Sequence, residues 1–243
     1  MTGYTLLDWD TEFFGFKVAR ITVGIDDPNK LQQVLDQAQQ EHVKLVYWSA
    51  ADNPINTMAS EIEALGGSLV DIKTTYAMDL SFVSRTSFAL SKDIDIKPYN
   101  LSMPIEDFYA LAIQSGEFSR FAVDKNIPRE KYEALYIKWI DASLQKVIAD
   151  EVLVIIDSGK VAGMVTLGEK NKRGDIGLLA VDGNYRGKKF GQALVNAAQL
   201  WFIDNGYKYA QVVTQAKNEA ACGLYRKCGY DVDSIEYFFH FWL

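Results

Sequence analysis

The sequence predicts an α/β protein, because short apolar runs typical of buried strands alternate with longer amphipathic segments typical of helices. Turn signals rich in glycine, proline and asparagine separate these segments. The chain has 243 residues, of which 49% are hydrophobic. That content is enough to bury one large core or two modest ones. We therefore expect a soluble globular protein with mixed strands and helices.

The first part of the chain is predicted to form a smaller α/β domain over residues 1–90. Asp26-Asp27-Pro28 provides an entry to a helix, and Gly66-Gly67 ends another. The polar segment from Ser81 to Pro98 is interpreted as a connector, which places the boundary near residue 90. The predicted elements are a strand at 19–23, a helix at 29–42, a strand at 45–48, a helix at 54–65 and strands within 68–80.

The second part, residues 91–243, is predicted to form the larger domain. Its terminal segment 237–243 is too apolar to stay exposed, so we expect a last strand in the sheet or a homodimer contact. The other predicted elements are helices at 103–116 and 128–144, hairpin strands at 151–156 and 161–167, a strand at 176–181, a helix from Phe190 to Asn205-Gly206, a strand at 209–214 and a helix from Asn218 to Lys227.

Composition excludes several classes of function. The net charge of −7 disfavours non-specific binding to nucleic acid, which requires a broad basic face. The sequence has no run of eighteen apolar residues and no basic segment followed by an apolar one at its start, so we expect a cytoplasmic protein without a membrane partner. Cys222 and Cys228 suit neither a disulfide framework nor a metal site, and we interpret them as packing residues.

A basic glycine loop stands between the strand at 176–181 and the helix that begins at Phe190. The first turn of a helix leaves backbone N–H groups without partners at the positive end of the macrodipole, which favours a phosphate ligand. Arg186, Lys188 and Lys189 add charge to this spot, while Gly187 and Gly191 allow the backbone to approach an anion closely. The loop predicts a pyrophosphate site, although a solvated turn with scattered lysines is also common.

A second pair of polar side chains follows the next predicted strand. Asn218 is a good N-cap for its helix, and Tyr225 lies seven residues further on, two turns along roughly the same side. Tyr225 is a candidate proton donor, because a phenol with a pKa of about 10 is mostly protonated at neutral pH. The alternative is a core aromatic residue with a hydrated hydroxyl.

Together these segments resemble motifs A and B of the GNAT superfamily of acyl-CoA N-acyltransferases. Arg186 and Gly191 match the Arg/Gln-x-x-Gly-x-Gly/Ala loop of motif A, whereas Lys189 replaces its middle glycine. The resemblance implies a mixed, mostly antiparallel sheet flanked by helices, with acetyl-CoA as co-substrate and no metal. It also implies that Asn218 contacts the pantetheine arm and that Tyr225 protonates the departing thiolate. The implied cofactor contacts are Leu179, Ala180, Val181, Arg186, Gly187, Lys188, Lys189, Phe190, Gly191 and Asn218.

Shorter segments resemble the GNAT enzymes that acetylate nucleotide-linked amino sugars such as dTDP-fucosamine. They are 7–15, Gly67-Ser68-Leu69-Val70, Ser119-Arg120-Phe121 and Val213-Thr214-Gln215. This resemblance makes Asp71 the candidate general base. It also makes Ser119 and Arg120 candidate contacts for the acceptor, since a guanidinium suits a diphosphate; a surface ion pair is the alternative for Arg120.

Two other functions remain open from the sequence. The protein could acetylate a different amine, such as a polyamine, an antibiotic or a peptide N-terminus. It could also be a non-catalytic sensor that binds acetyl-CoA, and Lys189 in the glycine loop is the feature that keeps this alternative open. A Ser-His-Asp hydrolase has no support, because the Gly-x-Ser-x-Gly elbow is missing from the sequence.

Overall fold

The computed structural model describes residues 3–51, 53–85 and 94–243, which group into two compact units. The first unit comprises Met1–Lys73 together with Ser234–Leu243, and the second comprises Thr74–Asp233. These units differ from the predicted domains, because the last strand of the chain pairs within the first unit. The predicted boundary near residue 90 lies outside the described residues.

The first unit places helices against a mixed sheet. Its strand order is β1-β2-β3-β10-β4, with β2 and β3 parallel and β3 and β10 antiparallel. Asp27 caps α2 by accepting a hydrogen bond from the Lys30 N–H at 3.0 Å. The elements concerned are β1 Tyr4–Leu6, α1 Asp8–Phe14, β2 Val18–Ile21, α2 Pro28–Gln40, β3 Leu45–Ala50, α3 Ile55–Ala64 and the unit's portions of β4 Gly67–Asp79 and β10 Asp231–Trp242.

The core of the first unit includes side chains from α2, α3, β3 and β10. Leu31 of α2, Val46 of β3 and Phe241 of β10 are each 0% exposed. Because β10 supplies Phe239 and Phe241 to this core, residues 234–243 are an integral part of the first unit. The terminal segment is thus a strand in the sheet, which is one of the two outcomes expected from its sequence.

The second unit has the strand order β4-β9-β8-β7-β6-β5, and helices pack on its sheet. Each strand from β5 to β8 pairs antiparallel with the next one along the chain, whereas β8 and β9 pair parallel. Its remaining elements are β5 Ile96–Pro98, α4 Ile105–Ser115, α5 Arg120–Val123, α6 Arg129–Leu144, β6 Glu151–Asp157, β7 Lys160–Lys170, β8 Arg173–Val181, α7 Phe190–Asp204, β9 Tyr209–Gln215 and α8 Glu219–Lys227.

Helix α7 provides much of the core of the second unit. Leu194, Val195, Ala198 and Phe202 are 0% exposed and belong to the same cluster as residues of β7, β8 and β9. Gly174 of β8 permits this packing, because a Cβ there would lie 2.3 Å from the Phe202 ring. The helix therefore has a fixed position against the sheet, and its N-terminus is fixed with it.

The predicted α/β class and the mixed, mostly antiparallel sheet are confirmed. The sequence missed α1, which is seven residues long and ends at Gly15 with a left-handed φ of 82°. It also missed β5, which has three residues and includes Pro98. Both elements are too short to show a clear periodicity. Among the described residues, no helix is long and apolar enough to span a bilayer.

Candidate active site

Strands β8 and β9 separate midway along their length. Their pairing covers Gly174–Ile176 of β8 and Ala210–Val212 of β9. Beyond these residues β8 continues to Val181 and β9 to Gln215. The two strands therefore leave an opening between their carboxyl-terminal halves. The backbone N–H and carbonyl groups that face this opening do not hydrogen-bond to the neighbouring strand.

A bulge in β8 lies where this opening begins. Leu167 of β7 is opposite Ile176, and Val165 is opposite Leu179, so two residues of β8 face one residue of β7. A bulge of this kind bends its strand and increases the local twist. It accounts for the departure of β8 from β9 immediately after Ile176.

The backbone of β8 beyond the bulge presents alternate residues to the opening. The Asp182 N–H donates to the Ala162 carbonyl of β7 at 3.0 Å. In an antiparallel pair every second residue turns its N–H and carbonyl to the partner strand, so Ala180, two residues before Asp182, also turns its backbone groups toward β7. Leu179 and Val181 consequently turn theirs to the opposite side. The Val181 carbonyl accepts a hydrogen bond from Gln114 Nε2 of α4 at 2.7 Å. Of the predicted trio, the Leu179 backbone and the Val181 N–H therefore suit contacts with a ligand, whereas the Val181 carbonyl is engaged by α4 and the Ala180 backbone by β7.

The loop from residue 182 to 189 brings the chain from β8 into α7. Asp182 stabilises its start by accepting a hydrogen bond from the Asn184 N–H at 2.8 Å. Gly187 has a φ of 81°, and Lys189 has a φ of 63° although it carries a side chain. In the described ranges, the backbone N–H groups of Phe190 and Gly191 donate to no protein acceptor. The start of α7 is thus able to bind an anion through its backbone.

The three basic side chains of the loop have different environments. Lys188 Nζ lies 2.9 Å from the Asp157 carboxylate and 4.9 Å from the centre of the Tyr185 ring. This ion pair lowers the pKa of Asp157. Arg186 and Lys189 are exposed, and their side chains have no partner within the part of the chain that the structure describes. The charge available to an anion at this helix start therefore comes mainly from Arg186 and Lys189, and Lys188 braces the loop.

Gly191 connects the start of α7 to α8. A Cβ at this position would lie 3.2 Å from Leu224 Cδ2 and 3.9 Å from Val181 Cγ2. Glycine therefore allows the first turn of α7 to approach both α8 and the end of β8. This close approach puts the anion-binding helix start beside the helix that carries Asn218 and Tyr225.

Asn218 is the N-cap of α8, as predicted. Its side-chain oxygen accepts a hydrogen bond from the Ala221 N–H at 3.1 Å. This bond uses the carbonyl of the carboxamide and, among the described residues, leaves its NH₂ group available as a donor. Asn218 follows β9 directly after the turn, so it lies at the carboxyl-terminal end of the strand that borders the opening.

Tyr225 is buried among aromatic side chains, with 5% of its surface exposed. Its ring centre lies 5.9 Å from that of Tyr76 and 6.2 Å from that of Tyr230. Burial raises the pKa of the Tyr225 hydroxyl well above its ordinary value. Within the described part of the chain this hydroxyl makes no hydrogen bond. It is therefore a protonated donor whose proton is not committed to any other group in the described residues.

The neighbours of Tyr225 hold it from two sides. Arg226 Nη1 donates to the Tyr76 hydroxyl at 3.2 Å, which fixes the ring that packs on Tyr225.

Cys222 and Cys228 are buried free thiols, and burial raises the pKa of Cys228 to about 11. The Cys228 thiol therefore stays protonated at neutral pH, and both cysteines pack in the core of the second unit.

Asp175 is a candidate functional residue that the sequence argument missed. It lies on β8 in the last paired stretch before the opening, where its Oδ1 accepts a hydrogen bond from Gln211 Nε2 at 2.8 Å. Burial raises the pKa of this carboxyl, and the Gln211 bond only partly opposes the rise. An acidic residue within an apolar strand was the available signal, but the predicted strand began one residue later, at Ile176.

The remaining predicted residues lie elsewhere. Ser119 is buried and caps α5, because its hydroxyl accepts a hydrogen bond from the Ala122 N–H at 3.4 Å. The Arg120 guanidinium lies 4.5 Å from the centre of the Phe121 ring. Asp71 lies on β4 in the first unit, whereas all the other predicted site residues belong to the second. The structure thus places the predicted cofactor residues, which include Asn218, and Tyr225 within one unit.

Comparison with known proteins relates this chain to acetyltransferases. Residues 113–230 match the Acetyltransferase (GNAT) family. The chain is 26% identical over 236 residues to the dTDP-fucosamine acetyltransferase of Escherichia coli O6:H1, which covers 96% of each chain. It is also 30% identical over 79 residues to an acetyltransferase of Yersinia pestis, which covers 32% of this chain and 56% of that protein.

Two solved structures share the fold at low sequence identity. A conserved protein of unknown function from Staphylococcus epidermidis has a TM-score of 0.68 at 13% identity, over 92% of this chain and 84% of that one. A GCN5-related N-acetyltransferase from Sphaerobacter thermophilus has a TM-score of 0.65 at 14% identity, over 98% of this chain and 75% of that one. The chain therefore carries an acetyltransferase domain of the GNAT family over residues 113–230, and it is an acyltransferase.

Proposed function

We propose that the protein transfers an acetyl group from acetyl-CoA directly to the amine of a nucleotide-linked amino sugar. The observation that carries this proposal is the opening between β8 and β9, which lies beside a helix start suited to an anion. Helix α8 packs on this helix start and carries Tyr225, whose hydroxyl makes no hydrogen bond within the described residues. These features suit a long ligand that has a diphosphate at one end and a reactive acyl group at the other.

The residues of the second unit fit acetyl-CoA. The N–H groups of Phe190 and Gly191, which have no acceptor among the described residues, and the Arg186 side chain beside them suit the diphosphate. Leu179 and Val181 turn backbone groups toward the opening, where amides of the pantetheine arm have the matching donors and acceptors. Acetyl-CoA supplies the activated acyl group, and these residues hold and orient it.

Tyr225 and Asp175 have the properties required for the two proton transfers. Tyr225 stays protonated because its pKa is raised, so it can donate to the departing sulfur. Asp175 has a raised pKa, which makes its carboxylate a stronger proton acceptor for the incoming amine. Cys228 is neutral at physiological pH, and we propose direct transfer rather than transfer through a cysteine thioester.

The proton acceptor has two candidates, Asp175 and the sequence-predicted Asp71. A matched pair of variants separates them, because Asp175→Asn and Asp71→Asn remove the same charge at nearly constant volume. We expect Asp175→Asn to lower kcat/KM by about 100-fold at pH 7 and Asp71→Asn to lower it less. The reverse order of effects would move the base to Asp71.

The acceptor is proposed from the resemblance to dTDP-fucosamine acetyltransferase over nearly the whole chain. The test is release of free CoA thiol from acetyl-CoA with dTDP-fucosamine and, in parallel, with a polyamine, an aminoglycoside and a peptide N-terminus. Release that depends on the nucleotide sugar would support both the reaction and the acceptor class. Release with another amine would replace the acceptor and keep the reaction, and calorimetric binding of acetyl-CoA without release from any amine would favour a sensor.

A further inference from the structure

The bulge of β8 depends on one hydroxyl group from the neighbouring strand. Thr166 of β7 lies opposite the two bulged residues, Gly177 and Leu178. The Leu178 N–H donates to Thr166 Oγ1 at 2.8 Å, so a side chain replaces the carbonyl that a regular ladder would offer. Thr166 is 2% exposed, which keeps this hydroxyl in place and away from competing water.

Gly177 is matched to the same hydroxyl. A Cβ at residue 177 would lie 2.7 Å from Thr166 Oγ1, which is closer than real Cβ atoms approach. The bulge therefore needs a glycine on one strand and a hydroxyl on the other. Burial does not account for the glycine, because Gly177 is exposed.

The position of this contact connects it to the opening. Pairing between β8 and β9 ends at Ile176, and the first bulged residue follows directly. The residues that turn their backbone to the opening, Leu179 and Val181, come immediately after the bulge. A shift of one residue here would exchange the directions of Leu179 and Ala180.

We propose that Thr166 is a positioning residue for acetyl-CoA, which it serves by fixing the bulge that aims Leu179 and Val181 into the opening. The inference rests on the proposed function and deepens it, because it assigns a role to a side chain that need not touch the ligand. Its chemistry is specific, since it requires a hydroxyl acceptor of the size of threonine or serine.

The test compares Thr166→Val with Thr166→Ser. Valine keeps the shape and removes the acceptor, whereas serine keeps the acceptor. We expect Thr166→Val to weaken acetyl-CoA binding by about fivefold or more, the factor that corresponds to one lost hydrogen bond of about 1 kcal/mol. Thr166→Ser should stay within about twofold of the wild type. Equal affinities for the valine variant and the wild type would overturn the proposal.

Thr11→Val is the matched control for a general loss of stability. Thr11 Oγ1 accepts a hydrogen bond from the Val18 N–H at 3.0 Å, which is the same kind of bond in the first unit. We expect this variant to bind acetyl-CoA as the wild type does. A loss of affinity equal to that of Thr166→Val would assign the effect to stability and reject a positioning role.

Amide hydrogen exchange at Leu178 tests the bulge without any ligand. The wild type should protect this N–H, and Thr166→Val should lose the protection while Thr166→Ser retains it. Rapid exchange at Leu178 in the wild type would reject the proposal even if the valine variant failed to fold. If the wild type protects Leu178 but does not bind acetyl-CoA, the proposed function fails while the account of the bulge stands.

A double-mutant cycle adds a second geometric test. Gly177→Ala should impair acetyl-CoA binding in the wild type, because its Cβ would displace the Thr166 hydroxyl. In a Thr166→Ala background the hydroxyl is gone, so adding Gly177→Ala should cost much less. Simple additivity of the two changes would show that the residues do not act as a pair.

Discussion

Replacement of Lys189 by glycine tests how the loop before α7 binds an anion. Lys189 has a φ of 63°, in the left-handed region that costs a residue with a Cβ about 1 kcal/mol. Glycine adopts this conformation readily, but it also increases the entropy of the unfolded chain by about 0.5 kcal/mol. The net gain in the free energy of unfolding is then about 0.5 kcal/mol, or about 1–2 °C in Tm for a chain of this size.

Lys172→Gly is a matched control for this change. Lys172 is also exposed and also has a φ of 63°, but it lies in the turn between β7 and β8. The two glycine variants should therefore gain similar stability in thermal unfolding. A destabilised Lys189→Gly beside a stabilised Lys172→Gly would show that the lysine side chain makes a favourable contact in the loop.

The same variants separate backbone from side-chain binding of the diphosphate. If the N–H groups of Phe190 and Gly191 and the Arg186 side chain bind it, Lys189→Gly should leave the Kd of acetyl-CoA unchanged or lower. Titration calorimetry at fixed salt measures this, with Lys172→Gly expected to bind as the wild type. A loss of more than about fivefold in Lys189→Gly and in Lys189→Gln alike would refute the reasoning, because it would assign phosphate binding to the ammonium group.

Four further predictions concern other residues of the second unit. Tyr225→Phe should lower kcat at least 100-fold and leave the Kd of acetyl-CoA unchanged, since the hydroxyl makes no protein hydrogen bond in the described residues; unchanged turnover would remove it as the acid. Arg186→Ala should weaken acetyl-CoA binding about tenfold and reduce its salt dependence in calorimetry, and equal salt slopes would argue against a phosphate contact. Because the pKa of Asp175 is raised in the folded state, its contribution to stability is complete below about pH 4 and is lost as the pH rises through the folded pKa. Urea unfolding of the wild type and Asp175→Asn should therefore show a difference in free energy that shrinks as the pH rises through this range. A difference that stays constant with pH would contradict this prediction. Gly174→Ala should lower the free energy of unfolding by about 1–3 kcal/mol, because its Cβ would lie 2.3 Å from the Phe202 ring, and wild-type stability would show that the ring can move.

The sequence predicted the elements of the site better than their connections. Gly187, the helical spacing after Phe190 and the cap at Asn218 are local signals, and the structure places each as expected. The ion pair of Lys188 joins residues 31 apart in the chain, and the Gln114 bond to Val181 joins residues 67 apart. No local pattern encodes such pairs, so the loop's three cations looked equivalent in the sequence.

The bulge of β8 was missed for a related reason. Apolar periodicity shows that a strand is present, but it does not show which hydroxyl of the adjacent strand will accept an N–H from it. Asp175 was left out because a charged residue weakens the apolar pattern at the start of a strand. Both features become visible once β7, β8 and β9 are aligned in register.

The route of the chain through the first unit has a consequence for biosynthesis. Residues 234–243 supply β10, whose Phe239 and Phe241 are buried in that unit beside β3. The 160 residues of Thr74–Asp233 emerge from the ribosome before this strand does. At roughly 5–20 residues per second, the amino-terminal segment waits about 10 to 30 s with an incomplete core. During translation the apolar faces of α2 and α3 are therefore exposed to chaperones, and the second unit is the one that can fold first.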